Sequence, residues 1–419
     1  MFPRFLLATA LLALSFQPIH AQSPEDRYMS AKSAFAAHSD GFLTDGSPEA
    51  VVAIKQLWAA IADLVIQRRT VDPKISAIAI DHDLCLLTFE PNPPEAVQVT
   101  AEDECRAIDS HRNTVLDLGH DLFLIAPFTG EIGTVFLVGP KGGKLAVLWS
   151  IDETAAPSND PHDLIGAWKP DRDGRNCRDD KSTHKPGACG PLYAALGLLP
   201  PDAEHHPRFY IDAGYSQQIR GTIGKQTTIW VWTGAAAELL WSDWHDAMID
   251  QSRGTDFGNG ILSVVSKTDY RSFFACGSCE GRQLEHDVLI EPTRIRDLGT
   301  HPLVPEVEVI DTLIYRIAHG QSTARLASPK VAALLRRQLR DSKTESAKIA
   351  PGWFSIGMMD DWLVTVTSKS TLVCITPDDV GQLTFTLRRT LNGGYFVASV
   401  KQNSGDSECA SRTWLPDPK

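Results

Sequence analysis

The sequence lacks the motifs and runs that define several large classes of protein. It has no P-loop and no Gly-x-Gly-x-x-Gly after a predicted strand, so no cofactor is expected. After its first residues it has no apolar run long enough to span a bilayer. Positive charge is also scarce, because 40 Lys and Arg stand against 52 Asp and Glu, a net charge of −12. Such a surface repels phosphate backbones, so nucleic acid is not an expected partner.

Residues 1–21 have the pattern of a secretory signal peptide. Arg4 precedes a short apolar run over Phe5–Phe16, and Ala21 ends the segment. The run is shorter than the roughly 20 apolar residues that a membrane-spanning helix needs. We therefore predict cleavage after residue 21, export to a periplasm or the extracellular space, and no transmembrane segment in the mature chain. An uncleaved membrane anchor is the alternative.

Eight cysteines in an exported chain predict disulfides, because exported proteins fold in an oxidising compartment. Spacing favours pairs that are neighbours in sequence, so that each pair staples one local region. The predicted pairs are Cys85–Cys105, Cys177–Cys189, Cys276–Cys279 and Cys374–Cys409. The Cys276–Cys279 pair has the spacing of a redox site, but its surroundings favour a hairpin disulfide over redox chemistry or zinc binding.

Three regions separate by pattern, and together they predict an α+β fold. Residues 22–105 form an N-terminal helix-plus-strand region. Residues 106–304 form a β-rich central domain of antiparallel hairpins, either a sandwich or a partial propeller, with a long loop at 152–207. Residues 305–419 form a second helix-plus-strand region that ends in an antiparallel meander.

The flanking regions share a recognisable helix start, in which a Ser precedes a Pro. In the first region this start is Ser47-Pro48, and two strands at Lys74–Ile80 and Leu84–Phe89 are predicted after the helix. In the third region a helix over Val307–Ala318 comes first, and a second helix begins at Ser328-Pro329.

The long loop holds the best candidate for a metal site. Four oxygen-bearing side chains surround a Gly turn, which suits calcium. They are Asp171, Asp173, Asn176 and Asp179. The segment departs from an EF-hand because it has no closing Glu, and three Arg residues supply neutralising charge. A solvated loop rich in Asp and Asn is therefore the alternative.

Five of the 13 histidines are followed directly by Asp, more than composition predicts. They are His82, His120, His162, His245 and His286. Both residue types bind metals, but adjacent residues on a strand point to opposite faces, so one dipeptide cannot chelate an ion. Placement in turns and at strand edges is the favoured interpretation.

Tryptophans form the other unusual cluster. Trp230, Trp232, Trp241 and Trp244 fall within 15 residues. Exposed indoles would stack on sugar rings or anchor a protein partner, whereas buried ones would fill a core between sheets. Nucleophile motifs are incomplete, since no full Gly-x-Ser-x-Gly is present.

These observations leave two functional hypotheses. The first is a non-catalytic, exported binding or envelope-associated protein with a protein or glycan ligand. The second is a hydrolase acting on an envelope polymer or another exported substrate. The sequence does not decide whether the protein is an enzyme. A cleft that contains a His with two carboxylates would favour the hydrolase, whereas buried tryptophans and scattered His-Asp pairs would count against both proposed sites.

Overall fold

A computed structural model has an α+β architecture rich in β-strands, with four four-stranded antiparallel sheets and five helices in the part of the chain that it describes. The described residues are 23–37, 48–88, 105, 115–126, 134–151, 193–219, 222–248, 255–268, 273–274, 282–341, 354–355, 363–366, 371–375 and 383–402. The helices are α1 (Pro24–Ala36), α2 (Pro48–Val71), α3 (Ala77–Thr88), α4 (Pro305–Ala318) and α5 (Pro329–Asp341).

Each four-stranded sheet is built from strands close together in sequence. The first sheet contains β1 (Val115–Gly119), β2 (Leu122–Ile125), β3 (Phe136–Lys141) and β4 (Lys144–Ser150). The second contains β5 (Tyr193–Leu199), β6 (Arg208–Ile219), β7 (Thr222–Trp232) and β8 (Ala237–Met248). The third contains β9 (Thr255–Gly258), β10 (Ile261–Thr268), β12 (Arg282–Glu291) and β13 (Arg294–Pro302). The fourth contains β15 (Leu363–Val366), β16 (Thr371–Ile375), β17 (Leu383–Arg389) and β18 (Tyr395–Gln402), and a small parallel pair joins β11 (Phe273–Phe274) to β14 (Phe354–Ser355).

The N-terminal helices cover one face of the first sheet. Trp58 and Ile61 of α2 lie in one core with Phe123 and Ile125 of β2, and all four side chains are buried. The helices of the predicted region 22–105 therefore share a core with the first sheet of the predicted central domain.

Helix α3 corrects the prediction of two strands at Lys74–Ile80 and Leu84–Phe89, because it spans residues 77–88. The Ser76 hydroxyl accepts a hydrogen bond from the Ala79 backbone N–H at 3.1 Å and caps the start of the helix. Ile80 and Leu84 lie one turn apart and are both buried in the core shared with α2. The helical spacing of these apolar residues thus outweighs their preference for strands.

The second sheet lies between the first and third sheets and buries residues on both of its faces. One face contributes Phe209 and Ile211 to a core with Leu124 of the first sheet. The other face contributes Ile229 to a core with Val288 of the third sheet. The central part of the chain is therefore a stack of three sheets.

The predicted long loop at 152–207 is wrong at its C-terminal end. Residues 193–199 form β5, which pairs with β6 in antiparallel register. The guanidinium of Arg208 donates hydrogen bonds to the carbonyls of Pro200 and Pro201, which holds the following segment against the sheet. Apolar residues that pair with a neighbouring strand satisfy their backbone groups, so this stretch is strand rather than loop.

The C-terminal unit has the two helices and the meander that the sequence predicts. Strands β15 to β18 pair in chain order, each antiparallel to the next. Leu313 of α4 and Leu335 of α5 are buried in one core with Phe385 and Val397 of the sheet. The Ser328 hydroxyl accepts a hydrogen bond from the Val331 N–H at 3.3 Å at the start of α5.

The disulfide predictions are tested at three cysteines. Cys85 of α3 is bonded to Cys105, with an S–S distance of 2.06 Å, and Cys374 of β16 is disulfide-bonded as well. Five predicted disulfide cysteines lie outside the described residues: Cys177, Cys189, Cys276, Cys279 and Cys409. The signal pattern at 1–21 lies outside them too, so export stays a prediction. Among the helices described, none is long and apolar enough to cross a membrane.

Candidate functional site

Strand β12 carries ligand-type side chains to both faces of the third sheet. Its central residues run Glu285-His286-Asp287, and alternation along a strand sends His286 to one face and the two carboxylates to the other. The face of His286 packs toward the second sheet, because Val288, two residues on, is buried in the core between the sheets. We call this the inner face and the opposite one the outer face.

A bulge in β13 decides which of its residues join each group. Asp287 pairs with Gly299 but Val288 pairs with Asp297, so Leu298 is an extra residue in β13. Gly299 has a φ of +85°, a conformation that glycine adopts without strain. Residues 297 and 301 would share a face in a regular strand. The bulge instead sends Asp297 to the inner face with His286, and His301 to the outer face.

The inner cluster consists of Trp241, Asp243, His286 and Asp297. His286 contacts Asp243 through Nδ1 at 3.1 Å and Asp297 through Nε2 at 2.9 Å. The ring of Trp241 meets that of His286 edge-on, with centroids 5.3 Å apart, and Trp241 adds a side-chain hydrogen bond to Asp297. Burial lowers the pKa of His286, but the bonds and charges of the two carboxylates outweigh it and raise the pKa above its usual value.

Both ring nitrogens of His286 contact a carboxyl group. An ionised carboxylate only accepts hydrogen bonds, so the protonated ring donates one to each Asp. The ring is thus held between two acidic side chains that come from two different sheets. This links β8 to β12 and β13 across the stack.

Further polar side chains of the second sheet are buried beside the inner cluster. Lys225 Nζ donates to Asp212 Oδ2 at 2.8 Å, and the Thr227 hydroxyl donates to Asp212 Oδ1 at 3.0 Å. His245 lies 3.7 Å from Asp243, and neither ring nitrogen has a hydrogen-bond partner in the described part of the chain. Burial lowers the pKa of His245 and so favours the neutral form of its ring. Burial, with the charges of Asp212 and Asp256, raises the pKa of Tyr210 to about 12.

The outer cluster consists of Glu285, Asp287 and His301. His301 Nε2 lies 2.9 Å from Asp287 Oδ2 and 3.9 Å from Glu285 Oε2. The Ser263 hydroxyl of β10 donates to the other Asp287 oxygen at 2.6 Å. The hydrogen bond to Asp287 raises the pKa of His301 despite some desolvation. Three side chains that can each ligate a metal thus converge on an accessible face of the sheet.

The predicted tryptophan cluster does not form one surface. Trp230 and Trp232 are 8% and 5% exposed and belong to the core between the first and second sheets. Both indoles fill that core, which is the alternative that the sequence left open, and a binding role for Trp230 and Trp232 stays an untested prediction. Trp241 lies on the other face of the sheet, in the inner cluster. The side chain of Trp244 lies outside the described residues.

The remaining sequence predictions fall in several places. The calcium candidates Asp171, Asp173, Asn176 and Asp179 lie outside the described residues, as does His162. His82 is in α3, His120 is in the turn between β1 and β2, and His245 and His286 are on strands. Asp287 and His286, although adjacent, serve different clusters, as expected for opposite faces of a strand. His301, Asp243 and Asp297 were missed, because cross-strand contacts join them to their partners.

Comparison with known proteins adds no assignment. No protein-family model matches the chain, and no curated protein matches it significantly in sequence. Its function therefore has to be inferred from the two clusters.

Proposed function

We propose that this chain is an exported, non-catalytic binding protein of the cell envelope and that its ligand is a glycan. The observation that carries the proposal is the state of His286, the histidine in contact with two carboxylates. A general base needs a ring nitrogen that can reach the substrate, and both nitrogens of His286 already contact the carboxylates of Asp243 and Asp297. Neither His286 nor His301 has a hydroxyl or thiol partner among the residues described, so neither is poised to activate a nucleophile.

The inner cluster supports a sugar as ligand. Trp241 is half-buried and offers an aromatic surface, on which the C–H face of a sugar ring can stack. Beside it, the Asp297 side chain is 50% exposed and still has acceptor capacity for sugar hydroxyls. The His286 contacts hold both groups in fixed positions, which lowers the entropy lost on binding.

The three stacked sheets carry the proposed glycan site. Each of the three is a four-stranded antiparallel sheet, and face-to-face packing of such sheets is typical of consecutive propeller blades. Helices cover the face of the first sheet that points away from the second sheet, and Glu285 and Asp287 lie on the outer face of the third. We therefore propose an open stack of three blades in preference to a sandwich or a closed ring.

A hydrolase is the second candidate, and one observation favours it. Asp243 and Asp297 flank His286, so two carboxylates lie close together in one cluster beside an aromatic residue. Glycoside hydrolysis uses such a pair, one as acid and one as base or nucleophile.

Binding of envelope polysaccharides and peptidoglycan fragments to the purified protein tests both candidates, with reducing ends measured in the same samples. Trp241→Ala and Asp297→Asn should each weaken glycan binding by about tenfold, the value of one stacking or hydrogen-bond contact. Leu240→Ala, a change of an exposed neighbour on β8, is the control and should leave binding unchanged. Release of reducing ends that Asp243→Asn abolishes would favour the hydrolase. Glycan binding that survives both site variants would contradict the proposed site.

A further inference from the structure

We propose that Glu285, Asp287 and His301 on the outer face of the third sheet bind a divalent transition-metal cation. The inference goes beyond the proposed function, because these residues face away from the inner cluster. It would hold whether or not the protein binds a glycan.

The distances among the three groups suit a shared ion. Their ligand atoms all lie within 4.8 Å of one another. A cation with ligands at about 2.1 Å separates neighbouring ligand atoms by about 3.0–3.5 Å. The contacts of His301 Nε2 with Asp287 and Glu285, 2.9 and 3.9 Å, bracket that range, so these two pairs need shifts of only a few tenths of an ångström. The carboxylate oxygens of Glu285 and Asp287 lie within 4.8 Å of each other and would draw together on the ion.

The backbone fixes these positions before any ion arrives. Glu285 and His301 are direct cross-strand partners, and Asp287 follows Glu285 by two residues on the same face. His301 reaches this face because of the bulge at Leu298 and Gly299. A rigid sheet therefore supplies all three groups, without a loop that must order on binding.

Two further contacts orient the ligands in the way that metal sites require. His301 Nδ1 lies 3.4 Å from the carbonyl oxygen of Pro302, which directs its N–H to the backbone and leaves Nε2 for the ion. The Ser263 hydroxyl occupies one oxygen of Asp287 and leaves the other facing His301. Partners of this kind fix the ring orientation and the free carboxylate oxygen of metal ligands.

The donor set selects the class of ion. One imidazole with two carboxylates suits zinc or manganese, whereas calcium and magnesium prefer oxygen ligands alone. His301 is exposed, so water can fill the remaining coordination positions.

Calorimetric titration of the chelator-treated protein with Zn²⁺ tests the inference. We expect one site that His301→Gln and Asp287→Asn each weaken at least about tenfold, the range seen for losses at metal sites. His206→Gln is the matched control, because His206 also lies near two carboxylates, Asp202 at 3.0 Å and Glu204 at 3.8 Å. The ligand atoms of Asp202, Glu204 and His206 do not all lie within 4.8 Å of one another, so this substitution should leave zinc binding unchanged.

Two results would overturn the inference. One is the absence of binding heat, and the other is equal zinc affinity in His301→Gln and the wild type; either would make the cluster an ordinary surface ion pair. If a variant does not fold, the site is tested in the wild type instead, by adding Mn²⁺ and following the histidine ring signals by NMR. Manganese should broaden the His301 ring signals before those of His206, and the reverse order would count against the site.

Discussion

Arg208 is expected to be the side chain whose loss most weakens the contact between the second and third sheets. It is 2% exposed, yet it is charged. Its guanidinium donates to the carbonyls of Pro200 at 2.7 Å, Pro201 at 2.9 Å and Glu291 at 2.9 Å. The Pro200 and Pro201 carbonyls come just before β6, and the Glu291 carbonyl lies at the end of β12.

The cost of replacing Arg208 by Met follows from the groups left behind. Met fills much of the same volume but donates nothing, so the carbonyls of Pro200, Pro201 and Glu291 lose their shared donor. A hydrogen bond to a charged group is worth about 1.5–3 kcal/mol, and the costs within one network are not additive. We therefore expect Arg208→Met to lower the free energy of unfolding by about 2–4 kcal/mol. Arg208→Lys keeps the charge but cannot form three fixed bonds, so it should cost an intermediate amount.

Urea unfolding and hydrogen exchange measure this effect together. The Ala203 N–H donates to the Pro292 carbonyl at 2.9 Å, so its exchange reports directly on the junction that Arg208 holds. In Arg208→Met, peptides covering 200–207 and 289–296 should exchange faster, while those of α4 should not change. Leu198→Ala, which removes a half-exposed side chain of β5, is the control and should cost little. If stability and the exchange at Ala203 are both unchanged in Arg208→Met, Arg208 does not hold the junction between the two sheets.

Gly299→Ala should lower the free energy of unfolding by about 1–2 kcal/mol, because φ at this bulge is +85°. Gly258→Ala should change it by less than about 0.5 kcal/mol, because an added Cβ there would meet open space; equal costs of the two changes in denaturant unfolding would show that the bulge does not need a glycine. Gly197→Ala should cost about 1–3 kcal/mol in the same assay, since the added Cβ would overlap the Tyr210 ring; a neutral result would mean that the ring does not cover this glycine. In an absorbance titration at alkaline pH, one of the seven tyrosines should ionise near the pKa of about 12 of Tyr210. Because that value is above the unfolded one of about 10, stability should fall between these two pH values; ionisation of every tyrosine near pH 10 would disprove it.

The sequence predicts the parts of the fold that depend on local signals. The Ser-Pro start at Ser328 identifies α5, and the apolar runs of the fourth sheet identify its strands. Helix α3 was missed because its short apolar stretch fits either a helix or a strand. The signal that distinguishes them is Ser76, which caps the helix.

The clusters depend on long-range register, which composition and spacing do not encode. Asp243 meets His286 across 43 positions of sequence, through the packing of two sheets. Asp297 and His301 reach opposite faces because of one extra residue in β13. In the sequence, Gly299 marks that bulge, but a glycine alone does not show which neighbouring residues change faces.

Strand β12 divides its ligand groups between two faces, and we propose a cation site on the outer one. A zinc anomalous difference map from crystals soaked in Zn²⁺ is a direct test of that arrangement. We expect a peak within about 2.0–2.2 Å of His301 Nε2 and of carboxylate oxygens of Glu285 and Asp287. His286 should remain between Asp243 and Asp297 in the same map. Crystals with zinc bound elsewhere, and with His301 still bonded directly to Asp287, would contradict it.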